Sequence, residues 1–180
     1  MKTFISFFLI LLPFLVTSCD NEKQLKSTTD LKEVIKANNA YAKVNWIDIQ
    51  ELDKLMAKQA RKVMIFFYRP GCPYCQEMKQ TTLMQPNIIK MINDNFYAVM
   101  FDGRSKEGIV LNGITYSNQE QNIDLPSNHE LHQALVDPYN DNIYWPSTVF
   151  LNENYQKLRS YPGLQKPAQF PRVLQNMIKR

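Results

Sequence analysis

The stretch FFYRPGCPYCQEMKQ, residues 66–80, contains two of the chain's three cysteines, Cys72 and Cys75. It overlaps the end of the apolar run VMIFFY, residues 63–68, which predicts a short strand buried on both faces. Three interpretations of such a C-x-x-C pair compete: a redox-active dithiol, half of a metal site, or two small buried side chains. Because proline is favoured at the first position of a helix, Pro73 predicts that a helix begins directly after Cys72.

The predicted helix start gives the two cysteines different chemistry. Cys72 takes the N-cap position, where its sulfur faces unpaired backbone N–H groups and the positive end of the helix dipole. Such an environment stabilises a thiolate. Cys75 lies one turn further on, within reach of a disulfide to Cys72 and turned towards the sheet. We therefore expect Cys72 to be exposed and nucleophilic, and Cys75 to be shielded and to resolve mixed disulfides.

The first segment of the chain is predicted to be a secretory signal. After Lys2, residues 4–16 (FISFFLILLPFLV) form a continuous apolar stretch, shorter than the roughly 20 residues that span a bilayer. A positive start followed by a short apolar run is typical of an export signal. The motif VTSC, which ends at Cys19, resembles the lipobox of bacterial lipoproteins, where cleavage precedes a cysteine that receives lipid. The alternative is an ordinary signal peptide with a cysteine nearby.

The lipobox interpretation divides the chain into three parts. We expect residues 1–18 to be removed, residues 19–44 to form a polar tether with a lipid anchor on Cys19, and residues 45–180 to form the folded domain. Two or more acyl chains hold a protein stably on a membrane, so the expected location is the bacterial cell envelope, facing the periplasm. Asp20 resembles an inner-membrane retention signal of some bacteria, and the choice between inner and outer membrane stays open.

Composition and charge fit a folded protein that does not bind nucleic acid. Hydrophobic residues make up 44% and aromatic residues 12% of the 180-residue chain. The formal charge of +4 is small, and the basic residues are scattered along the sequence rather than clustered. We expect one domain with attachments, present as a monomer.

The hydrophobic pattern of the domain predicts helices alternating with strands. Helices are predicted from Asp48, from Pro73 to about Met84, from Pro86, over residues 128–136 and from about Ala168. Strands are predicted over residues 63–68, 96–102, 147–151 and 156–161, and the Asn112-Gly113 turn predicts a hairpin in the otherwise irregular segment 103–145. Alternating units of this kind form a mixed sheet with helices on both faces.

These elements, with C-x-x-C at the first strand-to-helix junction, resemble the thioredoxin fold. Residues 63–102, HELHQAL (residues 129–135) and YWPSTVFLNENYQKLRSYPG (residues 144–163) are similar to exported and lipoprotein members of the thioredoxin-like family of bacteria. The resemblance covers about residues 45–178. It implies an α/β fold with a mixed sheet of four to five strands, helices on both faces and an insertion at about 103–145.

The resemblance also implies roles for the residues around the cysteines. It implies a redox-active Cys72–Cys75 disulfide, in which Cys72 attacks and Cys75 resolves. Pro146 would be a cis-proline beside this dithiol, because X-Pro is the bond type in which cis costs little, and Trp145 would offer its backbone to an extended substrate. The implied substrate cleft is formed by Pro73, Tyr74, Trp145 and Pro146.

Three features depart from the pattern of thioredoxins, and one is the spacer Pro73-Tyr74 between the cysteines, where they carry Gly-Pro. Phe66 stands six residues before Cys72, where thioredoxins carry a buried acid that assists proton transfer. Gly71 stands where they carry a tryptophan, so the usual route of reduction is not implied. Arg69 is a candidate for stabilising the Cys72 thiolate, and the alternative is an arginine in a solvated loop.

Metal and haem sites are less well supported. His129 and His132 form an H-x-x-H pair that could complete a Cys2His2 zinc set. The gap between Cys75 and His129 is far longer than the roughly 12 to 15 residues of a zinc finger, so we expect two surface or half-buried histidines and no metal. Covalent haem would need a histidine at residue 76, which is glutamine.

The sequence therefore predicts a membrane-tethered thiol–disulfide oxidoreductase that acts on protein thiols and disulfides, with an unidentified redox partner and no cofactor. Glutaredoxins share the Cys-Pro-Tyr-Cys motif, but their Thr-Val-Pro and Gly-Gly motifs are missing here. The alternative from another class is a redox-silent binding module, which holds a partner in the cleft or through residues 103–145 and in which Cys72 and Cys75 form a structural disulfide.

Overall fold

The structure, a computed structural model, describes residues 42–180. The predicted signal segment, Cys19 and the predicted tether up to residue 41 lie outside the described residues. We number the elements of the described range in chain order. The strands are β1 (Trp46–Ile47), β2 (Lys62–Tyr68), β3 (Phe96–Asp102), β4 (Ile109–Leu111), β5 (Ile114–Tyr116), β6 (Ser147–Leu151) and β7 (Lys157–Pro162). The helices are α1 (Ile49–Lys58), α2 (Pro73–Gln80), α3 (Pro86–Asn95), α4 (Glu130–Leu135) and α5 (Phe170–Ile178), with a 3-10 turn over Thr82–Met84.

A mixed five-stranded sheet forms the centre of the domain, in the order β1-β3-β2-β6-β7. β1, β3 and β2 run parallel to one another, whereas β6 and β7 pair in antiparallel fashion. Buried apolar clusters cover both faces of this sheet, one with side chains of α2, α3 and α5 and the other with side chains of α1 and α4. The predicted thioredoxin-like α/β fold with helices on both faces is confirmed.

The central strand β2 explains why its sequence is a continuous apolar run. Alternate residues of β2 enter opposite clusters: Phe66 packs with Met78 of α2, and Phe67 packs with Leu131 of α4. A strand covered on both faces buries every side chain, so the apolar pattern is uninterrupted rather than alternating. The strand ends at Tyr68, and the chain then enters the loop that carries the cysteines.

The segment 103–145 is more regular than its sequence indicated. The predicted hairpin is confirmed as β4 and β5, and its turn residues Asn112 and Gly113 have φ angles of 50° and 72°. These positive angles are those of a tight hairpin turn, for which Asn-Gly is the preferred sequence. Helix α4 follows, within the predicted range 128–136.

Three details at element ends differ from the sequence analysis. The helix after the cysteines ends at Gln80, and a 3-10 turn replaces the rest of the predicted helix to Met84. β1 was not predicted because a strand of two residues carries almost no periodicity. Val44, placed in the predicted tether, is buried in the cluster under α3 and α5. In residues 42–180, no helix has the length and apolarity needed to cross a membrane.

Candidate active site

Cys72 and Cys75 form a disulfide at the start of α2, with their Cα atoms 5.3 Å apart. Cys72 is the N-cap of the helix and Pro73 is its first residue, as predicted. The backbone N–H of Cys75 donates a hydrogen bond of 3.1 Å to Sγ of Cys72. One of the unpaired N–H groups of the helix start is therefore directed at the sulfur predicted to be the nucleophile.

The prediction that Cys72 is exposed is wrong for this disulfide form. Cys72 is only 2% exposed and Cys75 only 1% exposed. The disulfide holds Sγ of Cys72 against the first turn of α2, where the N–H of Cys75 reaches it. The difference between the two cysteines therefore lies in the hydrogen bond at the helix start and not in their solvent exposure.

The peptide bond between Trp145 and Pro146 is cis, as the resemblance implied. β6 begins at the next residue, Ser147, which pairs with Phe67 near the end of β2. Because the loop with the cysteines leaves the same end of β2, this register brings Pro146 to the side of the sheet where the disulfide lies. Two hydrogen bonds to backbone carbonyls hold this segment. Ser147 Oγ donates to the Tyr144 carbonyl at 2.7 Å, and the Gly163 N–H donates to the Pro146 carbonyl at 2.7 Å.

The four residues of the predicted cleft differ in exposure. Pro73 and Tyr74 are exposed, and Tyr74 presents 60% of its surface to solvent. Trp145 is half-buried and Pro146 is buried. The sequence analysis missed two further exposed apolar residues just before the cis bond, Ile143 and Tyr144. Their position directly before Trp145-Pro146 was the available signal.

The family model of the thioredoxin-like domain matches residues 49–178. The chain belongs to the thioredoxin-like family. A thioredoxin from Thermus thermophilus has the same fold, with a TM-score of 0.52 and 20% sequence identity over 74% of this chain and 86% of that chain. DsbH oxidoreductase matches with a TM-score of 0.51 and 16% identity over 78% of this chain and 88% of that chain. Identities this low show the fold alone. No curated protein matches the chain.

In this thioredoxin-like domain the side chain of Trp145 packs inward. Its indole stacks on the imidazole of His132, with ring centroids 4.4 Å apart and an interplanar angle of 11°. The edge of His132 meets Phe67 of β2 at a centroid distance of 5.2 Å. Gly103 lies so close that a Cβ there would be 2.6 Å from Trp145 Cη2 and 2.8 Å from His132 Cδ2. The residue before the cis bond is therefore held by α4 and by the end of β3.

The expectation that His129 and His132 are surface or half-buried residues is wrong. His129, the N-cap of the short helix α4, is fully buried, and His132 within α4 is 1% exposed. Nδ1 of His129 caps α4 by accepting the Leu131 N–H, and Nε2 lies 2.9 Å from the Glu107 carbonyl. This pair of contacts assigns the neutral ring with the proton on Nε2. Burial lowers the pKa of His129.

His132 differs from His129 because neither of its ring nitrogens has a hydrogen-bond partner in the described part of the chain. Burial is the main cause that lowers the pKa of His132 to about 4, with smaller contributions from the positive charge of Arg104 and from His129 when that ring is protonated. The ring is therefore neutral at neutral pH, and it contributes a flat surface on which Trp145 stacks. Within residues 42–180, no group of three or more His, Cys, Asp and Glu side chains is arranged to hold a metal.

The departures from the thioredoxin pattern have clear structural settings. Phe66 is fully buried under α2, so an apolar ring occupies the place where thioredoxins carry a buried acid. Gly71 has a φ of 67° and open space around its Cα, in a conformation that a tryptophan would adopt only with strain. Arg69 is half-buried, and its Nε has no hydrogen-bond partner among residues 42–180.

Proposed function

We propose that this protein is a membrane-tethered thiol–disulfide oxidoreductase of the bacterial cell envelope, which exchanges disulfides with protein substrates. The observation that carries the proposal is the Cys72–Cys75 disulfide at the start of α2, with the Cys75 N–H donating to Sγ of Cys72. A hydrogen bond and a helix N-terminus both stabilise a thiolate on that sulfur once the disulfide opens. The cis Pro146 at the same end of the sheet supports the proposal.

The exchange requires two steps, and each sulfur has one task. When the reduced protein acts on a substrate disulfide, the Cys72 thiolate attacks one substrate sulfur, and the other leaves as a thiolate with the electron pair. The Cys75 thiolate then attacks Sγ of Cys72 in this mixed disulfide. The substrate sulfur is released as a second thiolate, and both leaving thiolates take up protons from water. Two electrons have passed to the substrate, and the reverse sequence oxidises a substrate dithiol.

An extended protein segment is the proposed substrate at this site. The exposed side chain of Tyr74 and the exposed apolar residues Ile143 and Tyr144 lie on the two segments that flank the disulfide, namely the start of α2 and the approach to Pro146. Such a surface contacts apolar side chains of a partner, while the backbone of Trp145 is available for main-chain hydrogen bonds. A shallow surface of this kind fits a protein thiol better than a small molecule.

The proposed tether rests on the sequence alone. The lipobox-like VTSC places a lipid on Cys19, and the polar residues up to 41 connect that anchor to the domain. A lipid anchor on the outer face of the inner membrane, or on the inner face of the outer membrane, would present the disulfide to the periplasm. Either location supplies the oxidising compartment in which disulfide chemistry takes place.

A second candidate is a redox-silent binding module, and the burial of both cysteines favours it. A disulfide that is 1–2% exposed offers little surface to an attacking thiolate. In this alternative the Cys72–Cys75 bond stabilises the start of α2, and the surface around Tyr74 only holds a partner.

Equilibration with glutathione separates the two candidates. We expect the disulfide to exchange reversibly with defined ratios of reduced and oxidised glutathione, and the protein to catalyse reduction or oxidation of a model protein disulfide. A reduction potential of about −270 mV would indicate a reductant, and one of about −120 mV would indicate an oxidant. The Cys72→Ser variant is the control without activity. A disulfide that resists the glutathione mixtures, in a protein with no turnover, would establish the binding module instead.

A further inference from the structure

Thr148 of β6 is a buried polar residue without a visible role. It is fully buried, and its Oγ1 has no hydrogen-bond partner in the described part of the chain. A buried hydroxyl without a partner lowers stability, and valine has nearly the same shape without this cost. By contrast, the buried Thr82 donates its hydroxyl to the Gln165 carbonyl at 2.7 Å. The hydroxyl of Thr148 therefore requires a functional explanation.

The position of Thr148 in the sheet places its hydroxyl under helix α2. It pairs directly with Phe66 across the β2–β6 ladder, and residues directly opposite in an antiparallel pair project to the same face. Phe66 belongs to the buried cluster that also contains Met78 of α2 and Phe150 of β6. Thr148 therefore brings a hydroxyl up to this apolar cluster.

The spacing of residues along α2 places Cys75 on the helix face that covers this apolar cluster. Cys75 precedes Met78 by three residues on α2, and residues spaced by three lie on one face of a helix. Both side chains are buried. α2 begins shortly after β2 ends at Tyr68, so its first turn lies over the end of that strand. The pair of Phe66 and Thr148 lies only two residues from this end.

We propose that the Thr148 hydroxyl donates a hydrogen bond to the sulfur of Cys75 when the disulfide is open, and thereby stabilises the thiolate that resolves mixed disulfides. The inference rests on the proposed exchange reaction. In that reaction Cys75 must attack as a thiolate, yet its own backbone N–H donates to Cys72, and Phe66, which stands opposite Thr148, cannot donate a hydrogen bond. The hydroxyl of Thr148 supplies the missing donor.

The chemistry of the resolving step needs no other group. The Cys75 thiolate attacks Sγ of Cys72, the substrate sulfur leaves with the electron pair, and the Thr148 hydroxyl keeps its proton throughout. Before the attack the hydroxyl stabilises the negative charge in a low-dielectric layer, where a hydrogen bond to a charged sulfur is strong. In the disulfide form Sγ of Cys75 is bonded to Sγ of Cys72, and the Thr148 hydroxyl has no hydrogen-bond partner among the described residues. The proposed bond therefore forms only once the disulfide has opened and Sγ of Cys75 is free to turn towards Thr148.

The test compares Thr148→Val, which removes only the hydroxyl, with Thr148→Ser, which keeps it. Thr82→Val is the matched control, because it removes a buried hydroxyl that already has a partner. All variants are made in the full chain with Cys72→Ala and Cys19→Ser, so that Cys75 is the only titrating thiol. The pKa of Cys75 is then read from ultraviolet thiolate absorbance against pH. A second series retains both cysteines of the dithiol and follows the decay of a mixed disulfide with a model substrate.

We expect Thr148→Val to raise the pKa of the Cys75 thiol by about one unit, which is about a tenfold loss of thiolate at neutral pH. Resolution of the mixed disulfide should slow by a smaller factor, about threefold, because a thiolate of higher pKa is more nucleophilic, while alkylation of Cys72 is unchanged. Thr148→Ser and Thr82→Val should match the parent in both measurements. An unchanged Cys75 pKa in Thr148→Val overturns the inference. If the parent itself exchanges no disulfides, the proposed function fails, and the titration of Cys75 still decides the hydrogen bond.

Discussion

His132 of α4 stacks face to face on Trp145, the residue before the cis proline, with ring centroids 4.4 Å apart. The contact joins the segment 103–145 to the proposed substrate cleft. It also accounts for the burial of a histidine that has no hydrogen-bond partner within the described range, since its flat ring stacks on the indole and its edge meets Phe67. Because the side chain of Trp145 packs against His132, the part of Trp145 that faces the proposed cleft is its backbone.

The buried neutral ring of His132 makes the stability of the domain dependent on pH. The pKa of His132 is about 4 in the folded state and 6.5 in the unfolded chain. Between these two pH values the unfolded chain therefore binds a proton at His132 that the folded protein does not bind. The free energy of unfolding therefore falls as the pH is lowered from 6.5 to 4, by on the order of 3 kcal/mol from this residue. His129 also lowers the free energy of unfolding as the pH falls below 6.5, because burial lowers its pKa as well.

His132→Phe isolates this contribution. Phenylalanine preserves a flat ring against Trp145 and cannot be protonated, so the variant should lose less stability than the parent between pH 6.5 and pH 4. At pH 7 we expect it to be at least as stable, because two unpaired nitrogens are removed. Urea unfolding at both pH values measures the difference. Parallel pH profiles for parent and variant would contradict the neutral buried ring.

Gly103 is predicted to be required for the packing of Trp145. In Gly103→Ala, the new Cβ would lie within 3 Å of atoms of both Trp145 and His132, so the rings must shift. We expect a destabilisation of about 1–3 kcal/mol, typical of an overfilled site, together with weaker substrate binding. Gly108→Ala is the control, because the nearest atom to its Cβ among the described residues would be the Tyr116 carbonyl oxygen, at 3.9 Å. Equal stability of the two variants in urea would show that the rings move freely.

Asp53 of α1 connects two turns of the domain. Its Oδ2 accepts the N–H of Asn112 in the β4–β5 turn at 2.8 Å, and its Oδ1 accepts the hydroxyl of Tyr155 in the β6–β7 turn. Burial and the contact with Asp53 raise the pKa of Tyr155, so the phenol remains a donor. We expect Asp53→Ala to cost about 1–3 kcal/mol, and Tyr155→Phe less. As a control, Asp124→Ala at an exposed position should leave thermal unfolding unchanged. If the stability losses of Asp53→Ala and Tyr155→Phe simply add in the double variant, the two side chains are not energetically coupled.

Much of the fold was predictable because the relevant signals are local. Pro73 marked the start of α2, Asn112-Gly113 marked a hairpin turn, and the run at residues 63–68 marked a strand covered on both faces. Each of these features depends on backbone geometry or on burial along a single element. The resemblance then supplied the order of the elements and the position of the cis Pro146.

What the sequence did not reveal depends on tertiary packing. His129 and His132 were expected near the surface because a polar residue on a short helix is usually exposed, yet both are buried. Cys72 is buried in the disulfide form, which its N-cap position did not indicate. Thr148 is ordinary as a strand residue, and only its position opposite Phe66 makes its unpaired hydroxyl significant.

Lipidation of Cys19 is tested with Cys19→Ser. We expect this variant to lose incorporation of labelled fatty acid, and to accumulate either as an unprocessed precursor or as a form released from the membrane. Two or more acyl chains are needed for stable anchoring, so their loss should be visible in detergent-phase partitioning. Cys72→Ser, which leaves the lipobox intact, should partition like the parent. Continued lipid labelling of the Cys19→Ser protein would rule out this anchor.

The roles of the two cysteines are the centre of the proposed mechanism, and trapping of mixed disulfides with client proteins tests them most directly. The matched variants are Cys75→Ser, which retains the attacking sulfur at the start of α2, and Cys72→Ser, which retains only the resolving sulfur. Without a resolving thiolate nothing displaces the substrate, so Cys75→Ser should accumulate mixed disulfides that reductant releases, and Cys72→Ser should accumulate none. Equal trapping by the two variants, or trapping by Cys72→Ser alone, would contradict the assignment of Cys72 as nucleophile and Cys75 as resolver.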